Sequence, residues 1–253
     1  MIESFSGVRV TVMGLGRFGG GVGVTRWLAA QGARVLVTDR EPENKLAASV
    51  SEIDLPGVSL RLGGHVESDF TDADLVVVNP AVPDTSPFIV AARRAGVPIG
   101  TEINLFVERC RGRCIGITGS VGKSTTTAMI GQVLEKGTGN AKEETEKTRT
   151  TEVPACALSD APMQPRVWVG GNLGKSLLDV LPQIRPQDWV VLELSSFQLE
   201  RTPLVHWSPH IAVVTNLTPN HLDWHGSVDA YATAKMNILR FQNGARDQGA
   251  HEP

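Results

Sequence analysis

Cysteine is scarce in this chain: Cys110, Cys114 and Cys156 are the only three. So small and scattered a set excludes a disulfide framework and reads as reduced thiols of a cytoplasmic protein. Cys110 and Cys114 stand four apart, a spacing open to a metal pair. No second pair follows, and Cys114 opens an apolar strand-like run, so both are read as structural. Long apolar stretches are missing as well. Nowhere do 18 apolar residues run uninterrupted, and the opening MIESFSGVRV has no basic segment leading into an apolar core. Neither a membrane span nor a secretory leader is expected. Positive charge is not in excess either, and a formal net charge of -3 argues against a surface built for nonspecific nucleic-acid binding. What is present, 41% hydrophobic residues in a chain of 253, suffices for one large core or two of ordinary size.

Short apolar runs alternate with helical stretches from residue 8 to 109. VRVTVM (8–13), RVLVTD (34–39) and DLVVVNP (74–80) read as strands, and GVTRWLAAQG (23–32) and SPFIVAARRAG (86–96) as helices. This alternation predicts a parallel sheet covered on both faces. VERCRGR (107–113) is the expected linker, because a second such pattern follows at once. It comprises the strand CIGITG (114–119), a helix over about 125–136, and strand candidates starting at RVWVGG (166), DWVVLELSS (188–196) and HIAVVTNLTP (210–219). A last helix is expected over 228–240 with Ser227 as its cap. Between them lies a polar, charged, proline-interrupted segment at 137–165, read as a flexible excursion. The domains expected are therefore 1–110 and 111–253, the second of them incomplete.

Two glycine-rich turns carry the chemistry. In GITGSVGKSTTT the position where a strict Walker pattern needs glycine is Ile117, so the pattern fails. Its physical ingredients remain. A strand delivers the chain into a turn with Gly119 and Gly122, where bare backbone N–H groups face an anion. Lys123 adds a charge, Ser124 a hydroxyl suited to Mg²⁺, and a helix starts behind them. Phosphate binding by Gly119, Ser120, Val121, Gly122, Lys123, Ser124 and Thr125 is expected. Earlier, Gly14, Gly16 and Gly19 form GxGxxG after a strand, and Asp39 ends the next strand at the spacing of a ribose-binding acid. By itself this fits NAD, another nucleotide, or merely a helix packed closely on the sheet.

Glu193 falls where a buried strand should end. A carboxylate there needs a cation or a metal nearby. His221, Asp223 and His225 follow another strand candidate, so a Mg²⁺ site shared by Ser124, Glu193 and the His221 loop is expected. Lys235, inside the last helix, reads on its own as a solvated side chain.

Taken together, GLGRFG, TEINLF, GITGSVGKSTTT, GGNLGKSLLD, VLELSSFQLE and TNLTPNHLDWHGSVDAYATAK resemble the Mur ligases, and ELSSFQLE resembles their D-glutamate-adding branch. The resemblance implies an α/β protein in which an N-terminal Rossmann-like parallel-sheet domain is followed by a P-loop ATP-binding domain. It implies that the first domain holds a UDP-linked substrate rather than NAD, through Leu15, Gly16, Thr38, Asp39, Asn79 and Ala81. Asn172 would lie near the muramoyl-alanine end. Lys123 would contact the phosphates of ATP. Ser124, Glu193 and His221 would hold two magnesium ions, assisted by Lys235 as a carbamate, so that Lys123, Glu193, His221 and Lys235 form the catalytic set. The implied reaction joins D-glutamate to UDP-N-acetylmuramoyl-L-alanine through an acyl phosphate, in a cytoplasmic monomer serving peptidoglycan synthesis, with no nucleic-acid or membrane partner.

Three features depart from the family pattern. Val121 replaces an asparagine, the excursion at 137–165 is long, and the C-terminal ligase domain is not found within these 253 residues. Two rivals accordingly stand beside the ligase: a nucleotide-binding module without turnover, and an NAD-dependent dehydrogenase built on GxGxxG and Asp39.

Overall fold

The computed structural model describes residues 2–15, 20–138, 164–174 and 176–242. The excursion expected at 137–165 thus lies mostly outside the described residues, as do Gly16, Gly19 and Cys156.

The first sheet is built from β1 (Arg9–Met13), β2 (Arg34–Asp39), β3 (Val58–Leu62), β4 (Leu75–Val78) and β5 (Ile99–Gly100). All pairings are parallel and the order is β3-β2-β1-β4-β5. Its helices are α1 (Gly20–Ala30), α2 (Glu43–Ser51), α3 (Ser68–Thr71), α4 (Pro87–Arg94) and α5 (Glu102–Val107). Central strands β1 and β4 are apolar and buried on both faces, as a sheet sandwiched between helices requires. The edge strand β3 (VSLRL) is largely exposed. It carries no continuous apolar run, which is why it escapes a reading based on such runs. β5 escapes for its two-residue length.

The second sheet, in the order β7-β8-β6-β9 and again wholly parallel, uses β6 (Arg113–Thr118), β7 (Val167–Gly171), β8 (Trp189–Glu193) and β9 (Ile211–Val214). Around it lie α6 (Lys123–Gly137), α7 (Ser196–Leu199), α8 (Leu222–His225) and α9 (Val228–Met236), with 3₁₀ turns at Leu177–Gln183 and Thr202–Val205. Ser227 caps α9 by accepting from the Ala230 N–H at 3.1 Å. The α-helix ends at Met236 rather than continuing to 240. The Asn237 carbonyl is taken by the Ser208 hydroxyl at 3.1 Å, and the Asn237 amide donates to the Leu199 carbonyl.

One apolar cluster spans both sheets. Val10, Val12 and Leu28 of the first unit connect through Leu105 and Phe106 of α5 to Leu177, Leu178, Val190 and Leu192 of the second. The two units therefore share a core, and the closest approach is where α1 crosses the Leu177–Gln183 turn. A Cβ on Gly23 would collide with the Ser176 side chain, so glycine is what lets α1 come this near. Beside that contact Arg26 of α1 pairs with Asp179 at 2.6 Å. On the far side, Arg201 donates to the Val82 carbonyl at 2.7 Å and pairs with Asp84 at 2.8 Å, while Asn104 donates to the Arg201 carbonyl at 2.9 Å.

These contacts make Gly23→Ala a test of the junction. Alanine gains up to about 1 kcal/mol of helix propensity, but overpacking against Ser176 costs about 1–3 kcal/mol. A net loss in thermal or denaturant unfolding is expected, relieved when Ser176→Gly is added.

Candidate functional site

Every strand in each sheet runs the same way, so the loops after their C-terminal ends gather at one edge, where open α/β sheets bind ligands. In the first sheet the order reverses between β1 and β4, and the crevice opens there between Gly14 and Asn79. Gly14 has φ +89°, and a Cβ on it would stand 3.1 Å from Asn79 Cβ. Asn79 is fixed by its N–H to the Met13 carbonyl at 2.9 Å, and its side-chain oxygen accepts from the Ala81 N–H at 3.0 Å. Asp39 accepts from the Leu15 N–H at 2.9 Å with one oxygen and from the Glu41 N–H at 2.9 Å with the other. The acid that the sequence offers for a ribose thus also shapes the turn, by neutralising two backbone donors. Thr38 shares its hydroxyl with His65 Nδ1 at 2.7 Å. Burial foremost, and then the Arg40 charge, lower the pKa of that imidazole. Asp39, Arg40, His65, Asn79 and Ala81 border a cavity of about 240 Å³.

The phosphate-type loop follows β6. Gly119 (φ +149°) and Gly122 (φ +81°) adopt conformations that disfavour side chains. Its shape is held by two residues that the sequence reading passed over. Asn216 accepts from the N–H groups of Ser120 and Val121 at 3.2 and 3.1 Å and donates to the Val121 carbonyl at 2.9 Å. Tyr231 meets the Ser120 hydroxyl at 3.0 Å, and that hydroxyl also donates to the Thr218 carbonyl at 2.8 Å. Ser120 is therefore occupied internally, and Val121 shows only an exposed side chain beside the turn. The donors left facing outward are those of the α6 start, Lys123 to Thr125, which have no intrahelical acceptor. The Lys123 ammonium lies across the loop, donating to the Gly119 and Ser120 carbonyls at 3.0 and 3.1 Å. Ser124 and Thr125 are exposed.

Glu193 ends β8 in register with Ile117 and Gly171. It is 2% exposed, and one carboxylate oxygen accepts from Asn172 Nδ2 at 3.1 Å. The other is buried with no partner among the described residues. The Asn172 backbone N–H also donates to the Glu193 carbonyl at 2.8 Å, so the two residues form one unit. An orphaned buried carboxylate oxygen is the arrangement a hard cation would complete.

Lys235 overturns its reading as a solvated side chain. It is 2% exposed, donates to the Gly119 carbonyl at 2.8 Å, and sits 4.7 Å above the Tyr231 ring. Burial, followed by the charge of Lys123, lowers its pKa to about 8. His221 stands in the left-handed region (φ +52°) with its ring against Phe197. His225 turns elsewhere, to the Ser196 hydroxyl at 3.0 Å, and stacks on Phe197. Among the described residues no three His, Cys, Asp or Glu side chains converge as a metal cluster. A cation here would draw on Glu193 together with hydroxyl and phosphate oxygens. Cys110 and Cys114 touch at 3.9 Å.

The crevice of the first sheet and Asn172 of the second unit meet in one cavity of about 310 Å³, bordered by Gly14, Asn79, Glu102, Asn172, Ser176 and Phe197 among others.

The family model described as the Mur ligase middle domain matches residues 117–246, and one described as the Mur ligase MurD-like N-terminal domain matches residues 8–101. The chain belongs to the Mur ligase family. It is 41% identical over 239 residues to the UDP-N-acetylmuramoylalanine–D-glutamate ligase of Roseiflexus sp. (strain RS-1), covering 94% of this chain and 45% of that protein. With the enzyme of the same name from Symbiobacterium thermophilum it shares 40% over 237 residues, again 94% of this chain and 45% of the relative. The chain thus spans a little under half the length of these curated relatives. Among solved Mur ligases, the UDP-N-acetylmuramate:L-alanyl-gamma-D-glutamyl-meso-diaminopimelate ligase from Neisseria meningitides superposes with a TM-score of 0.54 at 18% identity. That match covers 93% of this chain and 68% of the other. The UDP-N-acetylmuramate-alanine ligase from Thermotoga maritima gives 0.50 at 24% identity over 92% and 47%. Both likenesses concern the fold.

In this Mur ligase chain the depressed Lys235 pKa has a consequence for stability. The unfolded chain holds the lysine proton up to about 10.5 and the folded chain releases it at about 8. The associated stabilisation is complete above the unfolded value and is lost as pH falls through the folded one. Denaturant titrations should show the wild type gaining on Lys235→Met as pH rises through that window. Parallel curves would place the ammonium in water.

Proposed function

We propose that this chain supplies the UDP-substrate and ATP sites for ATP-dependent ligation of D-glutamate to UDP-N-acetylmuramoyl-L-alanine in peptidoglycan precursor synthesis. The observation that carries the reading is a cavity bordered by loops of both sheets, Gly14 and Asn79 of the first and Gly171 and Asn172 of the second, with Asn172 bonded to the buried Glu193. A dehydrogenase would need the first crevice alone and would leave the phosphate loop and the buried carboxylate of the second sheet without a task.

In this reading the crevice around Leu15, Gly16, Thr38, Asp39, Asn79 and Ala81 takes the uridine diphosphate, and Asn172 borders the acyl end. The start of α6, Lys123 and the loop glycines take the ATP phosphates. Glu193, with Ser124 and His221, would hold Mg²⁺, which when bound neutralises phosphate charge. The acyl carboxylate attacks the γ-phosphorus and ADP departs with the γ-bridging oxygen. The D-glutamate amine then adds to the acyl phosphate carbonyl, and phosphate leaves as the amide forms. Most of what the protein contributes is positioning and charge compensation by groups already in place. Lys235 retains a neutral fraction near physiological pH. Its amine adds to CO₂ and sheds a proton, giving a carbamate where a cation now stands.

Calorimetric titration of the chain with UDP-N-acetylmuramoyl-L-alanine should show binding, and NAD should show none. The reverse pattern would sink the ligase reading. Turnover with ATP, Mg²⁺ and D-glutamate is read separately. Glu193→Gln should weaken the Mg²⁺-dependent part of ATP binding about tenfold or more, while unfolding in metal-free buffer stays level or improves because a buried charge is gone. Equal ATP affinity with and without Mg²⁺ in wild type and variant would remove Glu193 from the metal site.

A further inference from the structure

Glu102 is a carboxylic acid that the ligation scheme above leaves without a role. It opens α5 directly after Thr101, whose hydroxyl caps the helix by accepting from the Asn104 N–H. From there its side chain enters the junction between the two units. One oxygen accepts from the Ser176 hydroxyl at 2.5 Å, and that hydroxyl in turn accepts from the Leu178 N–H at 3.2 Å. The other oxygen has no partner among the described residues. The side chain borders the cavity of about 310 Å³, across from Gly14, Gly20 and Gly21 at the start of α1 and from Asn172 and Gly174 of the second unit.

Among the described residues no cation pairs with this carboxyl. Among the same residues, the charged groups on the elements packed against α5 are Arg26 of α1 and Asp179 of the Leu177–Gln183 turn, which pair with each other at 2.6 Å, and Arg201 before the Thr202–Val205 turn, which pairs with Asp84 and donates to the Val82 carbonyl. Phe197 and Ser195, which also border the cavity, bring no charge. Burial raises the Glu102 pKa to about 7, with the Asp179 charge acting in the same direction and the Ser176 hydroxyl opposing them. The acid therefore stands balanced between its two forms near neutrality.

We propose that Glu102 is a positioning residue of the cleft. It is neutral when an anionic sugar-nucleotide diphosphate lies at the start of α1, and binding of such a ligand is accompanied by uptake of a proton. The inference rests on the function proposed above. A diphosphate in the cavity and an ionised Glu102 would be like charges facing each other in a partly enclosed cleft, where repulsion is stronger than in open water. As the neutral acid, Glu102 turns from a repelling group into a donor. Its O–H reaches toward the ligand while the other oxygen keeps the Ser176 hydroxyl, so the bond that ties the two units together survives the change. The bound ligand holds the proton on, and affinity falls as pH rises through the Glu102 pKa.

The test is calorimetric titration with UDP-N-acetylmuramoyl-L-alanine between about pH 6 and about pH 8.5, in buffers of different ionisation enthalpy. The diphosphate and carboxylate of this ligand do not titrate in that window. For the wild type, Kd should rise across the range, by somewhat under about tenfold if the ligand raises the Glu102 pKa by one unit and by at most about thirtyfold however far it is raised. Near the upper end, up to about one proton should be taken up per ligand bound. Glu102→Gln, neutral at every pH, should bind at the wild type's low-pH strength with no proton uptake. Ser176→Ala, which removes the donor favouring the carboxylate, should move the midpoint of the wild-type profile upward. Identical pH profiles for wild type and Glu102→Gln would overturn the inference and leave the proposed function standing. So would a wild type that binds without taking up a proton. Failure of both proteins to bind this ligand at any pH would sink the proposed function, and this inference with it.

Discussion

The contact of α1 with the Leu177–Gln183 turn, made possible because residue 23 has no side chain, sets the relation between the two sheets. Each sheet alone presents an ordinary ligand edge. Only their juxtaposition brings Asn79 of one and Asn172 of the other to a common cavity. The shared apolar core holds that arrangement from behind. Its front is latched by polar contacts, Arg26 with Asp179 on one side and Arg201 with Asp84 and Val82 on the other. The apolar part contributes most of the free energy, since exposed ion pairs such as Arg26–Asp179 are worth at most about 1 kcal/mol each. The polar part contributes direction, because hydrogen bonds and ion pairs tolerate only a narrow range of geometries.

The loop after β6 follows the same division. Its glycines permit the path, and the path is enforced from outside by Asn216, Thr218 and Tyr231. These bonds occupy the Ser120 hydroxyl and two loop N–H groups, leaving the helix start and Lys123 as the surface offered to an anion. Val121 is thereby accommodated without loss of the loop. Its conformation is specified by backbone bonds to Asn216 and by the Thr215 hydroxyl, which donates to the Val121 carbonyl at 2.8 Å. The Val121 side chain itself points to solvent.

Much of the fold was legible because its central strands are short, mostly apolar runs ended by glycine, proline or a polar loop. RVLVTD appears as β2 at 34–39 with unchanged limits. Helix limits were less legible. The start of α6 lies two residues earlier than its pattern suggests, because the turn before it already runs into helical geometry at Lys123. The site was legible where a residue type is improbable in its surroundings, as for Glu193 at the end of a buried strand. It was illegible where significance arises only from contact. Nothing in the neighbourhood of Lys235 in sequence reveals that Gly119 and Tyr231, four residues or a whole domain half away, will bury it. The resemblance to a family assigned that residue a role, but it took the packing of α9 to show why its amine is unusual. Asn216 and Glu102 lie inside stretches that carry the resemblance, yet single positions within a motif look alike until the partners are known.

The distribution of charge in the cleft is out of balance in a consistent way. Lys123 donates to carbonyl oxygens, Lys235 to a carbonyl and the Thr118 hydroxyl from its place over the Tyr231 ring, and neither takes part in an ion pair among the described residues. Glu193 has a buried oxygen without a donor. Burying such groups uncompensated opposes folding, and the shared core has to offset it. The two cations and the anion are held apart by the fold, Glu193 by its strand register and Asn172, Lys235 by α9. They therefore cannot relieve one another. In the proposed reading each is relieved separately, Lys123 by phosphate oxygens, Glu193 by a divalent cation, and Lys235 by conversion of its amine to a carbamate facing that same cation. On that reading the unrelieved charge is a source of binding energy, and a chain that discharged it internally, with Glu193 against Lys235, would fold more readily and offer less to a charged ligand.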